Sequence, residues 1–90
     1  QEQFFDDVTL RANPVQNTAY FDFTLVESRP VNLFIYNNEG KVVYQEQRIL
    51  GKGNSTWPVA LGLHFVGGLY YFRIEFNHAW YSGSMIRLNH

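Results

Sequence analysis

Apolar and polar residues alternate along most of this chain with the two-residue period of strands that bury one face. Residues 18–25 set Ala19, Phe21, Phe23 and Leu25 on one face and Tyr20, Asp22 and Thr24 on the other. Residues 68–76 repeat the pattern with Tyr70, Phe72, Ile74 and Phe76, and after the Asn77-His78 turn a closing strand runs towards the C-terminus. Residues 31–36 are apolar on both faces apart from Asn32, which predicts a central strand covered on two sides.

Turn chemistry divides the rest. A short strand at 8–12 ends at Asn13-Pro14, because proline cannot donate to a ladder and asparagine favours turns. Asn37-Asn38-Glu39-Gly40 predicts a hairpin loop with Gly40 in the left-handed position, leading into a strand at 41–47. After the Gly51-Lys52-Gly53-Asn54 loop, residues 55–60 form a fifth strand that Pro58 assigns to a sheet edge or a bulge. Residues 61–67 break the alternation and read as a crossover between sheets. No window keeps a 3.6-residue apolar period beyond a turn or two. Seven short strands with one late crossover predict an all-β, antiparallel Greek-key sandwich. Gly68 ahead of Tyr70 suggests a tyrosine corner, in which the phenol ties the crossover to the sheet.

Ninety residues make one domain, and with 46% hydrophobic and 18% aromatic residues it can build a core without covalent help. There is no cysteine, hence no disulfide, thiolate metal site or thiol nucleophile. A net charge of −1 argues against nucleic acid or an anionic membrane as partner. No apolar run is long enough to insert across a bilayer as a helix. Residues 1–7 lack the features of a signal peptide and read as the end of an interdomain linker, with 8–90 as the domain. The missing initiator Met suggests a piece of a longer protein.

The chemistry is sparse. His64, His78 and His90 lack partners at metal-ligand spacing, so no metal or cofactor is expected. Ser82-Gly83-Ser84 lacks the elbow that makes a serine nucleophilic and reads as a bulge or an exposed face. Asp6, Asp7 and Asp22 would form a carboxylate pair only by accident of folding, and Asn54-Ser55-Thr56 fits a glycosylation sequon that recurs by chance. The chain therefore reads as non-catalytic. Tyr20, Tyr71, Trp80 and Tyr81 fall out of phase with the core face, and Trp57 lies beside Pro58 on a peripheral strand. Such aromatics can stack on sugars or anchor a protein interface, or simply cover the second face of a twisted sheet.

In order along the chain stand Leu10-x-x-Asn13-Pro14, the aromatic strand 20–25, Val31-x-Leu33-x-Ile35-Tyr36, Gly40-Lys41-Val42-Val43, Gly68-x-Tyr70-x-Phe72-x-Ile74 and Met85-Ile86-Arg87-Leu88. Together they resemble the C-terminal sorting domain of the type IX secretion system over residues 8–90. The resemblance implies a seven-stranded antiparallel immunoglobulin-like Greek-key β-sandwich at the end of a cargo protein. It also implies passage through the periplasm, then delivery by the outer-membrane translocon, a shuttle barrel and a sortase to the cell surface or medium. The family-motif positions are Asn13, Pro14, Gly40, Lys41, Gly68 and Tyr70. The terminal motif read by the machinery is Ser84, Met85, Ile86, Arg87, Leu88 and Asn89. Three departures, Ala12 for a proline, Arg87 for the usual lysine, and a 61–67 stretch without an aspartate-bearing loop, leave room for a domain that is retained rather than cleaved.

The mechanism expected is recognition, with the last strand docking by its exposed edge, as in strand addition. The same edge, or a swapped terminal hairpin, would allow a dimer. Two rival readings remain. One is an immunoglobulin-like adhesion or carbohydrate-binding module using Trp57 or Trp80; the other is an accessory domain packed against an enzyme.

Overall fold

The computed structural model describes residues 6–11, 15, 17–62, 65–76 and 79–88. Seven strands occupy them: β1 (Asp7–Arg11), β2 (Thr18–Leu25), β3 (Arg29–Tyr36), β4 (Val42–Leu50), β5 (Gly53–Ala60), β6 (Gly68–Phe76) and β7 (Ala79–Arg87). They form two antiparallel sheets, ordered β1-β2-β5 and β4-β3-β6-β7, and no helix is present among the described residues. From strand to strand the chain changes sheets three times, between β2 and β3, β4 and β5, and β5 and β6, rather than in one late crossover, because each sheet takes strands from both halves of the sequence. The predicted linker end is partly folded: Asp7 opens β1, while Asp6 Oδ1 accepts the Val26 N–H at 2.9 Å and Oδ2 lies 3.4 Å from Arg29 Nη1.

The alternating positions meet between the sheets in one core, giving a sandwich-like arrangement. Ala19, Phe21, Phe23 and Leu25 from β2 face Val31, Leu33 and Ile35 from β3 and Ile74 from β6, all enclosed. The Phe21 ring meets the Phe72 ring edge-on at 5.1 Å, joining the two sheets with the geometry aromatic quadrupoles favour. β3 is interior in its sheet, yet it is not covered twice. Asn32, Phe34 and Tyr36 are half-exposed on the outer face, where Phe34 and Tyr36 stack at 6.3 Å. Pro58 falls on an edge strand, as its missing N–H requires.

Trp57 corrects the peripheral reading. It is fully enclosed, because the opposite sheet reaches over β5 and covers it. The Arg48 guanidinium lies 4.7 Å over its ring, its Nε1–H donates to the Tyr44 hydroxyl at 3.4 Å, and Phe23 packs alongside. Tyr81 is corrected too. Pairing opposite Ile74 turns it inward, where it stacks on Phe76 and donates to the Asp6 carbonyl at 2.7 Å. Ser82-Gly83-Ser84 forms no bulge: the pairing stays in register, with the serines exposed. Gly83 faces the core, and a Cβ there would stand 2.7 Å from Phe72 Cζ, so a side chain would collide with that ring.

The edges of the four-stranded sheet are blunted. On β4 the inward positions carry Tyr44, Glu46 and Arg48, and Glu46 accepts from both the Tyr44 hydroxyl and Arg48. Inward charge on an edge strand disfavours pairing with another chain. On β7 the far end is occupied by the chain itself. The Val15 N–H donates to the Ile86 carbonyl at 2.7 Å, and the Leu88 N–H donates to the Val15 carbonyl at 2.8 Å, a short parallel bridge.

Candidate functional site

Three sequence motifs far apart in the chain meet at one end of the molecule. The first is the hairpin at 37–41. The Asn37 carboxamide oxygen accepts the N–H groups of Glu39 and Lys41, each at 2.9 Å, while its carbonyl accepts that of Gly40 at 3.0 Å. This side-chain-built turn puts Gly40 at φ +84°, a conformation that costs glycine little, and leaves Lys41 exposed. The second is the entry to β6. Gly68 adopts φ +139°, and the Tyr70 hydroxyl donates to the Val66 carbonyl at 2.7 Å, so the predicted corner is present. The Phe65 ring packs 5.2 Å from that of Tyr70 and closes the crossover over the core.

The third is the end of β7, where Gly68 pairs with Arg87, Leu69 with Ile86 and Tyr70 with Met85. Its residues divide by face. Met85 is fully enclosed; this predicted partner-binding residue belongs to the core and is out of reach while the domain is folded. Arg87 turns to the crossover, donating to the Gly62 carbonyl at 3.1 Å and to that of Phe65. Ser84, Ile86 and Leu88 point outwards. With Val66 and Leu69 the last two form an apolar ridge, and Val66 is the most exposed at 73%. Beside it a groove of about 300 Å³ runs between the hairpin and the β6 entry, lined by Asn37, Glu39, Val66 and Leu69 among others. Asn13, Pro14 and Asn89 lie outside the described residues, as do His64, His78 and His90.

The Val15 bridge revises the expected docking geometry. Ile86 and Leu88 spend outward backbone groups on the chain's own connector, so a partner strand cannot add there without displacing it. What the end of β7 offers is its side-chain face. Sequence reasoning missed Val66 and Leu69, which fall within or beside the non-periodic crossover where no pattern predicts exposure.

Chemistry elsewhere is that of a solvated sheet. Among the described residues no three His, Asp or Glu side chains converge on a point. Asp22 does not pair with Asp6 or Asp7; Arg11 grips it with two bonds of 2.9 and 3.0 Å, and Thr56 adds a third at 2.8 Å. These bonds, Arg11's first, hold the Asp22 carboxyl below the usual range; the Tyr44 phenol and then Arg48 do the same for Glu46. Both groups take up protons more readily unfolded than folded. The stability they lend is present above the unfolded value, near pH 4, and lost as pH falls through the folded one. Since both stay in partial contact with solvent, the effect is small. Urea melts between about pH 6 and about pH 2 should show stability falling on the acid side, with a shallower fall in Asp22→Asn.

Tyr70→Phe removes a bond without opening a cavity. It should lower stability by about 1–2 kcal/mol in denaturant melts, the cost of leaving the Val66 carbonyl short of a partner.

The described residues define an all-β module of two antiparallel sheets. No protein-family model and no curated protein matches the chain. Among solved structures it is similar to dimeric latent PorU from Porphyromonas gingivalis, with a TM-score of 0.74 at 21% identity. The match covers 94% of this chain and 9% of that one, so the chain spans a small part of the protein it resembles. The likeness is one of fold.

Proposed function

We propose that this domain is a non-catalytic C-terminal sorting signal, directing its parent protein through the outer-membrane type IX translocon. The observation that carries the reading is convergence. The Gly40-Lys41 hairpin, the Gly68/Tyr70 corner and the terminal strand, which the family resemblance singles out separately, form one surface at one end of the fold. A single surface is what a recognition machinery needs, because contiguous residues can be read in one docking event. The likeness in fold to a portion of dimeric latent PorU supports the same reading. So does the three-plus-four strand order, which suits an immunoglobulin-like Greek-key sandwich.

The partners are the translocon, the shuttle barrel and the sortase, met first in the periplasm and then at the outer membrane. The Ile86, Leu88, Leu69 and Val66 ridge is the docking face. A sortase would act before Asp6, which Val26 and Arg29 tie to the fold.

The test is a fusion of these ninety residues behind a signal peptide and a fluorescent protein. It is expressed in a type IX-competent bacterium and in a translocon mutant. Surface fluorescence confined to the competent strain is expected, and the size of the surface species shows whether the domain is removed. Intact, folded fusion trapped in the periplasm of both strains would sink the proposal.

A further inference from the structure

A second surface lies at the opposite end of the four-stranded sheet, on its outer face. One cross-strand row runs Gln47, Asn32, Glu75, Trp80, one residue from each strand. Pro30 and Arg73 flank it, and the row lines an open groove of about 380 Å³. That is within the size range of small-ligand sites, roughly 300–1,000 Å³. Trp80 is 62% exposed, the most exposed aromatic among the described residues. Its orientation is not left to chance: the Arg73 guanidinium lies 4.6 Å over one face of the ring, and Arg73 Nε stands 2.9 Å from Glu75 Oε2 as an ion pair without hydrogen-bond alignment. The remaining indole surface is open. Among the described residues nothing bonds to the carboxamides of Asn32 and Gln47, each of which offers both donors and an acceptor.

We infer that this groove binds a neutral, equatorially substituted hexopyranose unit of a polysaccharide. The chemistry matches term by term. A pyranose with equatorial hydroxyls presents a flat face of C–H bonds, whose positive edges settle on the negative face of an indole. The hydroxyls around its rim both donate and accept, which carboxamides satisfy and a lone cation does not. Arg73 and Glu75 neutralise each other, so the groove holds no net charge to select an acidic sugar. A planar guanidinium behind the ring fixes the platform and reduces the ordering cost of binding.

The site is independent of the sorting surface at the other end and does not rest on that reading. On the opposite face Tyr20 also carries a guanidinium, that of Arg11 at 4.8 Å, but it is only 37% exposed, and Asp22 beside it is engaged by Arg11 and Thr56.

Titration calorimetry of the intact chain with cellohexaose and hexa-N-acetylchitohexaose tests the inference. Saturable binding to at least one is expected. Trp80→Ala should weaken it at least about tenfold, as loss of an aromatic anchor does. Trp80→Phe should keep most of the affinity, and Asn32→Ala should reduce it several-fold. Thermal midpoints close to the parent's would show that the variants are folded. Absence of saturable binding to either hexasaccharide overturns the inference, and so does unchanged affinity in folded Trp80→Ala. Export of the fluorescent fusion should be the same with and without Trp80→Ala, which keeps failure here separate from failure of the sorting proposal.

Discussion

Replacing Trp57 with alanine is expected to destabilise the domain by about 3–5 kcal/mol, the range for truncating a large enclosed aromatic. For a domain of this size the loss approaches the whole folding free energy, about 5–15 kcal/mol for typical domains. Three contacts go with the ring: the tilted pair with Phe23, the Arg48 guanidinium above it and the bond to Tyr44. The neighbours cannot collapse into the space, because Tyr44 and Arg48 are both held by Glu46 across the rim of the sheet. Denaturant melts followed by circular dichroism check the prediction, with Trp80→Ala as control. That exposed residue should cost about 0.5 kcal/mol or less. Equal losses in the two variants would mean that Trp57 is not the centre of the core.

The different fates of the two tryptophans show where the sequence is legible. Within a strand, period-2 alternation is read directly. β2 runs from Thr18 to Leu25 as its pattern requires, and Ala19, Phe21, Phe23 and Leu25 are all buried. Local covalent chemistry is legible too. Pro58 assigns β5 to an edge, and the Gly68/Tyr70 pair announces the corner that Val66 completes. What cannot be read is how far one sheet extends over the other. Trp57 is buried by Tyr44 and Arg48, side chains of another sheet whose own polar pattern suggests solvent. β4 looks polar on both faces because its inner face forms a charged rim rather than a core layer.

Phase across a hairpin is equally hidden. Trp80 and Tyr81 are adjacent aromatics, and only the pairing of Tyr81 with Ile74 decides which turns inward. The candidate surface shares this division. Its hairpin, corner and terminal strand are visible as separate motifs, but their meeting follows from the order β4-β3-β6-β7, which sets the 37–41 turn beside the start of β6 and the end of β7. Val15 was not readable at all. Its burial and its bridge to β7 set it beside the four-stranded sheet, although β1 and β2, its neighbours in sequence, belong to the other one.

That bridge determines how the terminal strand should be tested. Deleting residues 86–90 is expected to abolish export, but it also removes structure. Two main-chain bonds to Val15 are lost, each worth about 1 kcal/mol, along with the Arg87 bonds to the crossover. A truncated domain would therefore fail to be exported whether its tail is read or merely holds the fold together. Ile86→Asp with Leu88→Asp separates the two. Both side chains point outwards at 48% and 43% exposure, and substitution leaves the backbone pairing in place. Stability should change by about 1 kcal/mol or less for the pair. Charge on an apolar docking ridge leaves a carboxylate without water in the complex, so surface display of the fusion should fall to the level of the translocon mutant. Arg87→Ala should behave in the opposite way, losing stability through the crossover while its remaining folded fraction is exported. If the double aspartate variant is folded and exported normally, the ridge is not the surface that is read. Recognition would then move to the hairpin and groove formed by residues 37–41 and the entry to β6.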